Sequence, residues 1–396
     1  MATASKVLII VSRDFGELTN ALNFARSPGL QVLLLLPENL YQNSQALPGV
    51  ARKLYRNLDE VESTVTAEQP DVVMLFSGYL FVVSRLFEFA AFERWLDSMQ
   101  RQGVLLMTSD PFLGMLHSDV NATFKAGHPA RDWLAQHFTR VANRLRNVIH
   151  VYTAPCGEIG SSSKTSYGQP GSLLREASKL SRKYRLGHAN FPLAEDNFWL
   201  FVLSTEDFEV QTRQLGTPHF IELLTGRMSE ADKAGRVPVL IAPAACVEAV
   251  QTAPAPGKPP LAIPFCDHQR FEDLMLGAEY VFYWNCASNS ILLRLVNALP
   301  VWFFDQGHLL RMLPDLQAIA LETFFGGYGV QGLDLNLPLD VRSLRHCAAS
   351  THPARVALAT RYLTLNTPAE LIRRALTRQL LIEGAETLER LPQSTV

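Results

Sequence analysis

The chain has 396 residues, of which 47% are hydrophobic, and its 36 Lys and Arg residues nearly balance its 38 Asp and Glu residues. This length predicts roughly two to three domains, with enough apolar material for separate cores. A net charge of only -2 argues against a broad basic surface for DNA or RNA, so we expect small-molecule partners and no nucleic acid.

The first half of the chain alternates apolar runs with helical patterns. Lys6–Val11 is an apolar run, Leu18–Ala25 has helical spacing, and Gln31–Leu36 is a second apolar run. Runs without polar alternation are typical of parallel strands covered on both faces. Further strands are predicted at 71–76, 104–108 and 148–152, with helices around 87–102 and 129–147. This alternation predicts a doubly wound parallel sheet with ligands beyond the carboxyl ends of its strands.

A Gly- and Ser-rich stretch separates the two halves. Residues 156–171, CGEIGSSSKTSYGQPG, contain little apolar material, which indicates a loop or an interdomain linker. A second alternation follows, with strands predicted at 198–203, 237–241, 261–263, 280–283 and 301–304. The last helical pattern, Pro368–Leu388, is amphipathic.

The most informative segment is Tyr280–Arg311, YVFYWNCASNSILLRLVNALPVWFFDQGHLLR. Its order of apolar run, small polar turn, amphipathic run and second apolar run is typical of a strand, a helix and another strand. A helix that begins near Ser288–Ser290 would present unpaired N–H groups and the positive end of its dipole, which suit a diphosphate. The alternative is that Ser288 or Asn289 caps an ordinary helix.

This segment resembles the donor-site signature of the GT-B glycosyltransferases that use UDP-sugars. That signature is His-Cys-Gly-x-Asn-Ser, a helix, Gly-x-Pro, a strand and Asp-Gln, and the chain has Asn285–Ser290, then Ala298–Pro300, then Asp305 and Gln306. The match covers about thirty residues. Asn285 stands at the family's His, Ala287 stands at its Gly, and the interval between Pro and Asp is shorter.

The resemblance implies roles for the donor-binding residues. By analogy, Asn289 and Ser290 hold phosphate, while Asp305 and Gln306 hold the sugar. The remaining residues expected near the donor are Asn285 and Ser288 in the turn, Ser204 and Thr205 beside the leaving group, Phe265 and His268 beside the nucleotide base, and His308 beside phosphate or sugar.

The general base is expected in a loop of the N-terminal half. Family members that invert the anomeric centre use a His or an acidic residue there, and Asp14 is our first candidate, followed by Glu17, Asp110 and His117. Gly16 would allow a tight turn close to substrate. The structural alternatives are that Asp14 or Glu17 caps the next helix or favours its dipole, and that His117 is an ordinary loop residue.

The resemblance also implies the architecture. We expect two Rossmann-like doubly wound parallel-sheet domains facing a cleft, the GT-B fold of the α/β class, with a C-terminal helix that crosses back to the N-terminal domain. The expected bounds are an acceptor domain at 1–165, a linker at 166–190, a donor domain at 191–365, and a helix and tail at 366–396.

The implied activity is transfer of a sugar from a nucleoside-diphosphate sugar to a small-molecule or lipid-like acceptor. No metal and no cofactor are expected, since the nucleotide sugar is a co-substrate. Two alternatives share the architecture: a nucleotide-sugar epimerase or hydrolase, and a non-catalytic GT-B-like accessory protein. Fold analogy alone does not choose among them.

Cysteine usage and hydropathy predict a cytoplasmic protein. The five cysteines have no disulfide or zinc spacing, and the N-terminus lacks the layout of a secretory signal. Val72–Val83, the longest apolar stretch, is shorter than the roughly twenty residues of a spanning helix. We therefore expect no transmembrane segment. Peripheral contact with a membrane is compatible with the sequence. The sequence carries no signature of an oligomeric state.

Overall fold

The computed structural model describes residues 4–13, 15–44, 50–110, 129–153, 164–166, 198–253, 260–266, 268–286, 288–304, 325, 332–363 and 365–389. These residues form two lobes, each built on a parallel β-sheet covered by helices. We call residues 4–166 the N-terminal lobe and residues 198–363 the C-terminal lobe.

The N-terminal lobe is built on seven strands. They are β1 (Ser5–Val11), β2 (Leu30–Leu36), β3 (Ala51–Leu54), β4 (Val72–Phe76), β5 (Leu105–Thr108), β6 (Ile149–Tyr152) and β7 (Lys164–Ser166). All pair in parallel, in the order β3-β2-β1-β4-β5-β6-β7. The strand β4 is buried along its whole length because helices cover both faces of the sheet, as its uninterrupted apolar sequence predicts.

Helices connect the strands of this lobe. They are α1 (Phe15–Ala25), α2 (Glu38–Asn43), α3 (Leu58–Glu68), α4 (Leu80–Val83), α5 (Phe89–Arg101) and α6 (Pro129–Leu145). Helix α3 begins where Asn57 accepts a hydrogen bond from the Glu60 amide at 3.0 Å, a typical N-cap. Helix α5 buries Phe92, Trp95 and Met99, whose spacing of three and four residues puts them on one face.

The C-terminal lobe repeats the arrangement. Its strands are β8 (Phe198–Val202), β9 (Val237–Ala242), β10 (Leu261–Pro264), β11 (Tyr280–Tyr283) and β12 (Val301–Phe303). Its helices are α7 (Thr205–Leu215), α8 (Thr217–Lys233), α9 (Ala244–Thr252), α10 (His268–Gly277), α11 (Leu292–Leu295), α12 (Val341–Ser350) and α13 (His352–Leu363), with a 3-10 helix at Asn289–Ile291. The strands pair in parallel, in the order β10-β9-β8-β11-β12.

Both sheets reverse their strand order at one point. The reversal lies between β1 and β4 in the N-terminal lobe and between β8 and β11 in the C-terminal lobe. In a doubly wound sheet the crevice for a ligand opens at the carboxyl ends of the two strands that flank this point. The predicted doubly wound sheets are therefore confirmed, and each has one expected ligand crevice.

The last helix, α14 (Pro368–Glu389), returns to the N-terminal lobe. Leu371 and Ile372 are buried in the apolar cluster that covers one face of the first sheet. The Ala369 amide donates a hydrogen bond to Ser27 Oγ at 3.4 Å. The predicted crossing of the C-terminal helix is confirmed. Within the described part of the chain, no helix has the length and apolar character needed to cross a membrane.

Two edge strands were absent from the sequence prediction. In β3 the residues alternate between exposed and partly buried, and its sequence ARKL lacks the apolar run of an interior strand. The other, β7, is three residues long and lies in the stretch predicted as a loop or linker. Both strands form only because a neighbouring strand is already there to pair with them.

Candidate functional site

The candidate donor turn follows β11 at the reversal point of the second sheet. Asn285 and Cys286 are both buried, and both have interactions with other residues. The predicted helix begins in the expected place, as a 3-10 helix at Asn289–Ile291 that continues into α11. It is short, so its dipole is weaker than that of a full helix, and side chains and backbone amides must provide more of any anion binding.

The two serines of the turn form a hydroxyl network with the end of β11. Ser290 Oγ lies 2.8 Å from the Tyr283 hydroxyl and 2.9 Å from Ser288 Oγ. Ser288 occupies the N-cap position, but its side chain makes no capping hydrogen bond. Burial raises the pKa of Tyr283 above its ordinary value, so this phenol stays protonated and orients the Ser290 hydroxyl. The serines are thus held in place by one another rather than by capping.

The turn after β8 lies beside the donor turn, since β8 and β11 are paired strands. Ser204 Oγ accepts a hydrogen bond from the Asp207 amide at 3.0 Å and donates one to Asp207 Oδ2 at 2.9 Å. The Ser204 hydroxyl therefore caps α7, and its predicted place beside the leaving group stays a prediction. Thr205 is the first residue of α7.

Loops of the N-terminal lobe converge on Glu17. The Ser109 hydroxyl donates to Glu17 Oε2 at 3.2 Å and accepts from the Ser77 amide at 2.7 Å. These three residues follow β5, β1 and β4, so the carboxyl ends of three strands meet as predicted. All three are buried, and Ser77 has a φ of 54°, which is uncommon for a residue other than glycine.

Asp110 lies beside a second buried network in the same lobe. Burial raises the pKa of Tyr79, and the negative charge of Asp110 raises it further. His150 Nδ1 is 2.7 Å from the Val148 carbonyl, and its Nε2 is 2.5 Å from the Tyr79 hydroxyl. Because a carbonyl only accepts, Nδ1 carries the proton and Nε2 accepts from Tyr79. Asp110 is thus a buried carboxyl group close to the strand ends.

The two lobes approach each other where the first loop meets the donor turn. A Cβ atom placed on Gly16 would lie 3.3 Å from Asn289 Nδ2 and 3.8 Å from Asn289 Cβ. A side chain on residue 16 would therefore crowd Asn289. Gly16 lies in the first turn of α1 rather than in the predicted tight turn, and its approach to substrate stays a prediction. The contact of Gly16 with Asn289 puts the candidate catalytic loop next to the candidate donor turn.

An ion pair joins the lobes at the other end of α1. Arg26 Nη1 lies 2.9 Å and 3.0 Å from the two carboxylate oxygens of Glu272, and His268 Nε2 lies 3.0 Å from Glu272 Oε1. Burial raises the pKa of Glu272, but the hydrogen bond and charge of His268 and the charge of Arg26 outweigh it and lower that pKa to about 2. His268 contacts Glu272 in this interlobe group, and its predicted place beside the nucleotide base stays a prediction.

Phe265 follows β10 and is 48% exposed, the kind of apolar surface that a nucleotide base can cover. Asp14, His117, Asp305, Gln306 and His308 lie outside the described residues, so their predicted roles stay predictions. Among the residues described, no three His, Cys, Asp or Glu side chains are grouped as metal ligands would be.

Comparison with known proteins gives matches in structure only. No protein-family model and no curated protein matches the chain. The glycosyltransferase SnogD from Streptomyces nogalater is 12% identical, and the alignment covers 94% of this chain and 99% of SnogD with a TM-score of 0.52. The glycosyltransferase VinC, solved in complex with dTDP, is 12% identical over 94% of this chain and 99% of VinC, with a TM-score of 0.55.

A plant protein gives a similar result. Glycyrrhiza uralensis UGT73P12, complexed with glycyrrhetinic acid 3-O-monoglucuronide, is 10% identical over 98% of both chains, with a TM-score of 0.54. Each of these matches covers more than nine-tenths of this chain. The chain has the GT-B fold. The fold predicted from the donor-turn resemblance is thereby confirmed, while the roles of individual residues in this GT-B protein stay predictions.

Three residues that shape this site were not predicted from the sequence. They are Ser109, Arg26 and Glu272. Arg26 and Glu272 are 246 positions apart, so no local pattern indicates that they meet. Ser109 could have been found, because it is a polar residue directly after an apolar strand, where ligand-binding loops begin.

Proposed function

We propose that this protein transfers a sugar from a nucleoside-diphosphate sugar to a small-molecule or lipid-like acceptor, without a metal ion. The observation that carries the proposal is the approach of Gly16 to Asn289 in a chain with the GT-B fold. It joins a loop with acidic residues to a turn that resembles the family's donor signature. The similar structures SnogD and VinC are named glycosyltransferases, and VinC was solved with dTDP.

In this proposal the diphosphate binds at the donor turn. The first N–H groups of the segment that begins at Asn289 have no partner within their own helix. The Asn289 amide and the Ser288 and Ser290 hydroxyls add side-chain donors. Because α11 is short, we assign most of the leaving-group stabilisation to these donors, which act where negative charge develops during transfer.

The acceptor would be activated from the N-terminal lobe. Its hydroxyl oxygen forms a bond to the anomeric carbon, the bond from that carbon to the diphosphate oxygen breaks, and the hydroxyl proton passes to a base. Among the described candidates, we favour Glu17 because it directly follows Gly16 at the interlobe contact and is hydrogen-bonded to Ser109. Asp110, close to the Tyr79 hydroxyl, is the second candidate.

Calorimetric titration with UDP-, TDP- and GDP-sugars tests the donor assignment. We expect one class to bind and Asn289→Ala to weaken its binding about tenfold, the usual effect of losing a hydrogen bond to a charged group. Asn297→Ala is the matched control, because this amide lies on the same segment but donates to the Leu293 carbonyl at 2.7 Å. A folded protein that binds no nucleotide sugar would refute the proposal.

Incubation with the bound donor alone separates transfer from the related reactions. A transferase should leave the donor largely intact until a hydroxyl-bearing acceptor is added, when free nucleoside diphosphate and a glycosylated product appear together. Release or isomerisation of the sugar at full rate without an acceptor would instead identify a hydrolase or an epimerase. Binding without any turnover, over a broad acceptor panel, would identify an accessory protein.

A further inference from the structure

One face of α1 carries all the interlobe contacts described above. Gly16, Asn20, Asn23 and Arg26 follow one another at intervals of four, three and three residues, which places them on the same side of the helix. The opposite side, including Leu18, Leu22 and Phe24, packs in the core of the N-terminal lobe. Between its interlobe contacts at Gly16 and Arg26, the face toward the C-terminal lobe therefore carries the polar residues Asn20 and Asn23.

Two buried amides lie between the contacts at the ends of this face. Asn20 is 4% exposed and Asn23 is 3% exposed, and among the described residues the Oδ1 atom of each has no hydrogen-bond partner. Leaving a buried acceptor unpaired costs free energy that exposure to water would recover. These two oxygens therefore accept no hydrogen bond from the described residues, and a polar interaction that holds the lobes together must come from elsewhere on the face.

The Arg26–Glu272 pair supplies that interaction. Arg26 Nη1 donates to both oxygens of Glu272, and the side chains are only 16% and 9% exposed, so solvent screens the pair weakly. From Gly16 to Arg26 the chain rises about 15 Å along the helix. A helix of this length moves as a rigid rod, so fixing Arg26 restricts where Gly16 can lie.

On the other side of the interface, Glu272 belongs to the same rigid unit as the donor turn. Arg294 in α11 is fully buried and donates to the Met275 and Ala278 carbonyls at the end of α10, each at 2.8 Å. The Tyr283 hydroxyl, which bonds Ser290, also donates to Met275 Sδ at 3.3 Å. These contacts tie α10, which carries Glu272, to the segment that carries Asn289.

We propose that Arg26 and Glu272 are positioning residues that hold the first loop of the N-terminal lobe against the donor turn. The consequence for sugar transfer rests on the proposed function, but the positioning itself does not. The pair acts through α1 and α10 and touches no reacting atom. Its loss should let Gly16 and Asn289 separate, although each lobe stays folded.

Disulfide trapping measures that separation without any substrate. In the double variant Gly16→Cys, Asn289→Cys the two Cβ atoms would be 3.8 Å apart, which is the mean distance in disulfides, and Gly16 has no positive φ to disfavour a side chain. The effective concentration of the two thiols is obtained by equilibration with a glutathione redox buffer, with the bond assigned by peptide mass spectrometry. The single-cysteine variants correct for Cys286 and Cys266 nearby.

Adding Arg26→Gln to the double-cysteine variant should lower the effective concentration of the two thiols roughly tenfold or more, as expected for loss of a buried charged hydrogen bond. Glu272→Gln should act in the same direction. Arg26→Lys should restore most of the value, because a single nitrogen makes both contacts and an ammonium group can replace it. With a nucleotide sugar that the protein turns over, Arg26→Gln should also raise KM for that donor, and Arg26→Lys should return KM toward the native value.

Arg236→Gln is the matched control, since Arg236 pairs with Glu279 inside the C-terminal lobe. An unchanged effective concentration in both Arg26→Gln and Glu272→Gln would overturn the proposal. An equal decrease in Arg236→Gln would also overturn it, because general destabilisation would then explain the result. If no nucleotide sugar binds at all, the proposed function fails while the trapping result still decides whether the pair positions the lobes.

Discussion

The Ser109 hydroxyl donates a hydrogen bond to the Glu17 carboxylate, with 3.2 Å between Oγ and Oε2. The Ser77 amide occupies an acceptor site on the same hydroxyl, so the single hydroxyl proton is directed at the carboxylate. The two residues are 92 positions apart: Ser109 directly follows β5, and Glu17 lies in the first turn of α1, which follows β1. This bond fixes the direction of the Glu17 side chain at the strand ends.

The first prediction concerns catalysis by Glu17. Glu17→Gln should lower kcat for sugar transfer by about 10² to 10⁴, the usual contribution of a general base. Ser109→Ala should cause a smaller loss, because the carboxylate remains but is less well oriented. The measurement is a steady-state assay of nucleoside diphosphate release in the presence of an acceptor.

Glu38→Gln is the control for this prediction. Glu38 is also an acidic residue in the first turn of a helix in the N-terminal lobe, but it is exposed. If both variants lose activity or stability alike, Glu17 serves the helix dipole rather than the reaction. Full activity of Glu17→Gln would show that Glu17 is not the general base, which would then be Asp14, Asp110 or His117.

The second prediction concerns the close packing at Gly78, after β4. A Cβ atom there would lie 2.7 Å from Thr108 Oγ1, and the Gly78 amide already donates to this oxygen at 3.2 Å. Gly78→Ala should therefore lower the free energy of unfolding by about 1 to 3 kcal/mol, as overpacking of a core does. Thermal and urea unfolding measure the change.

Gly226→Ala is the matched substitution in open space. Gly226 lies within α8, and nothing is within 4 Å of its added Cβ atom. Alanine favours a helix over glycine by about 0.5 to 1 kcal/mol, so this variant should be slightly more stable. A Gly78→Ala variant as stable as the native chain would mean that the β4 and β5 loops adjust freely.

The third prediction is a dependence of stability on pH through Glu272. Interactions with His268 and Arg26 outweigh the opposing effect of burial and lower its pKa from 4.5 to about 2. A carboxyl group with a lowered pKa stabilises the folded state above its ordinary pKa, and this stabilisation is lost as the pH falls from 4.5 toward 2. The shift corresponds to on the order of 3 kcal/mol.

Urea unfolding of the native chain and Glu272→Gln at pH 7 and at pH 3 tests this expectation. The native chain should be more stable at pH 7, and its advantage should shrink at pH 3. Glu62→Gln alters an exposed position of α3, so the difference in stability between the native chain and this variant should not change comparably between the two pH values. A difference between the native chain and Glu272→Gln that is the same at both pH values would contradict the assignment.

Local patterns in the sequence were sufficient for the interior of the fold. Strands such as β4 and β11 are covered on both faces and consist only of apolar and aromatic residues, so their composition alone indicates that they are buried. The edge strand β3 carries Arg and Lys on a partly exposed surface and depends on β2 for its hydrogen bonds. Its sequence alone therefore resembles a loop.

The candidate site was predictable only in part, for a similar reason. Strand order follows from the alternation of elements, so the meeting of the loops near Glu17 and Ser109 could be expected. The position of one lobe against the other depends on contacts such as Arg26 with Glu272, which involve distant parts of the chain. Glu272 illustrates the consequence: its contact with His268 lies within α10 at a spacing of four residues, whereas its partner across the interface, Arg26, is 246 positions away in the sequence.

The fourth prediction concerns Ala298, which stands where the resembling signature has glycine. Its φ is 54°, in the left-handed region. The Ala298 amide donates to the Leu295 carbonyl at 3.0 Å and the Leu299 amide donates to the Arg294 carbonyl at 3.0 Å, the two hydrogen bonds of a Schellman motif. Alanine is strained at the left-handed position of this motif, whereas glycine is not.

Ala298→Gly should therefore raise the free energy of unfolding by about 0.5 to 1 kcal/mol, since relief of strain exceeds the extra entropy of glycine in the unfolded chain. Thermal unfolding measures the change, and Ala249→Gly within α9 should lower stability by about 1 kcal/mol. Arg355 Nε donates to the Ala298 carbonyl at 2.9 Å and keeps the backbone in place in either variant. Equal destabilisation by both substitutions would show that Ala298 does not adopt the left-handed conformation in solution.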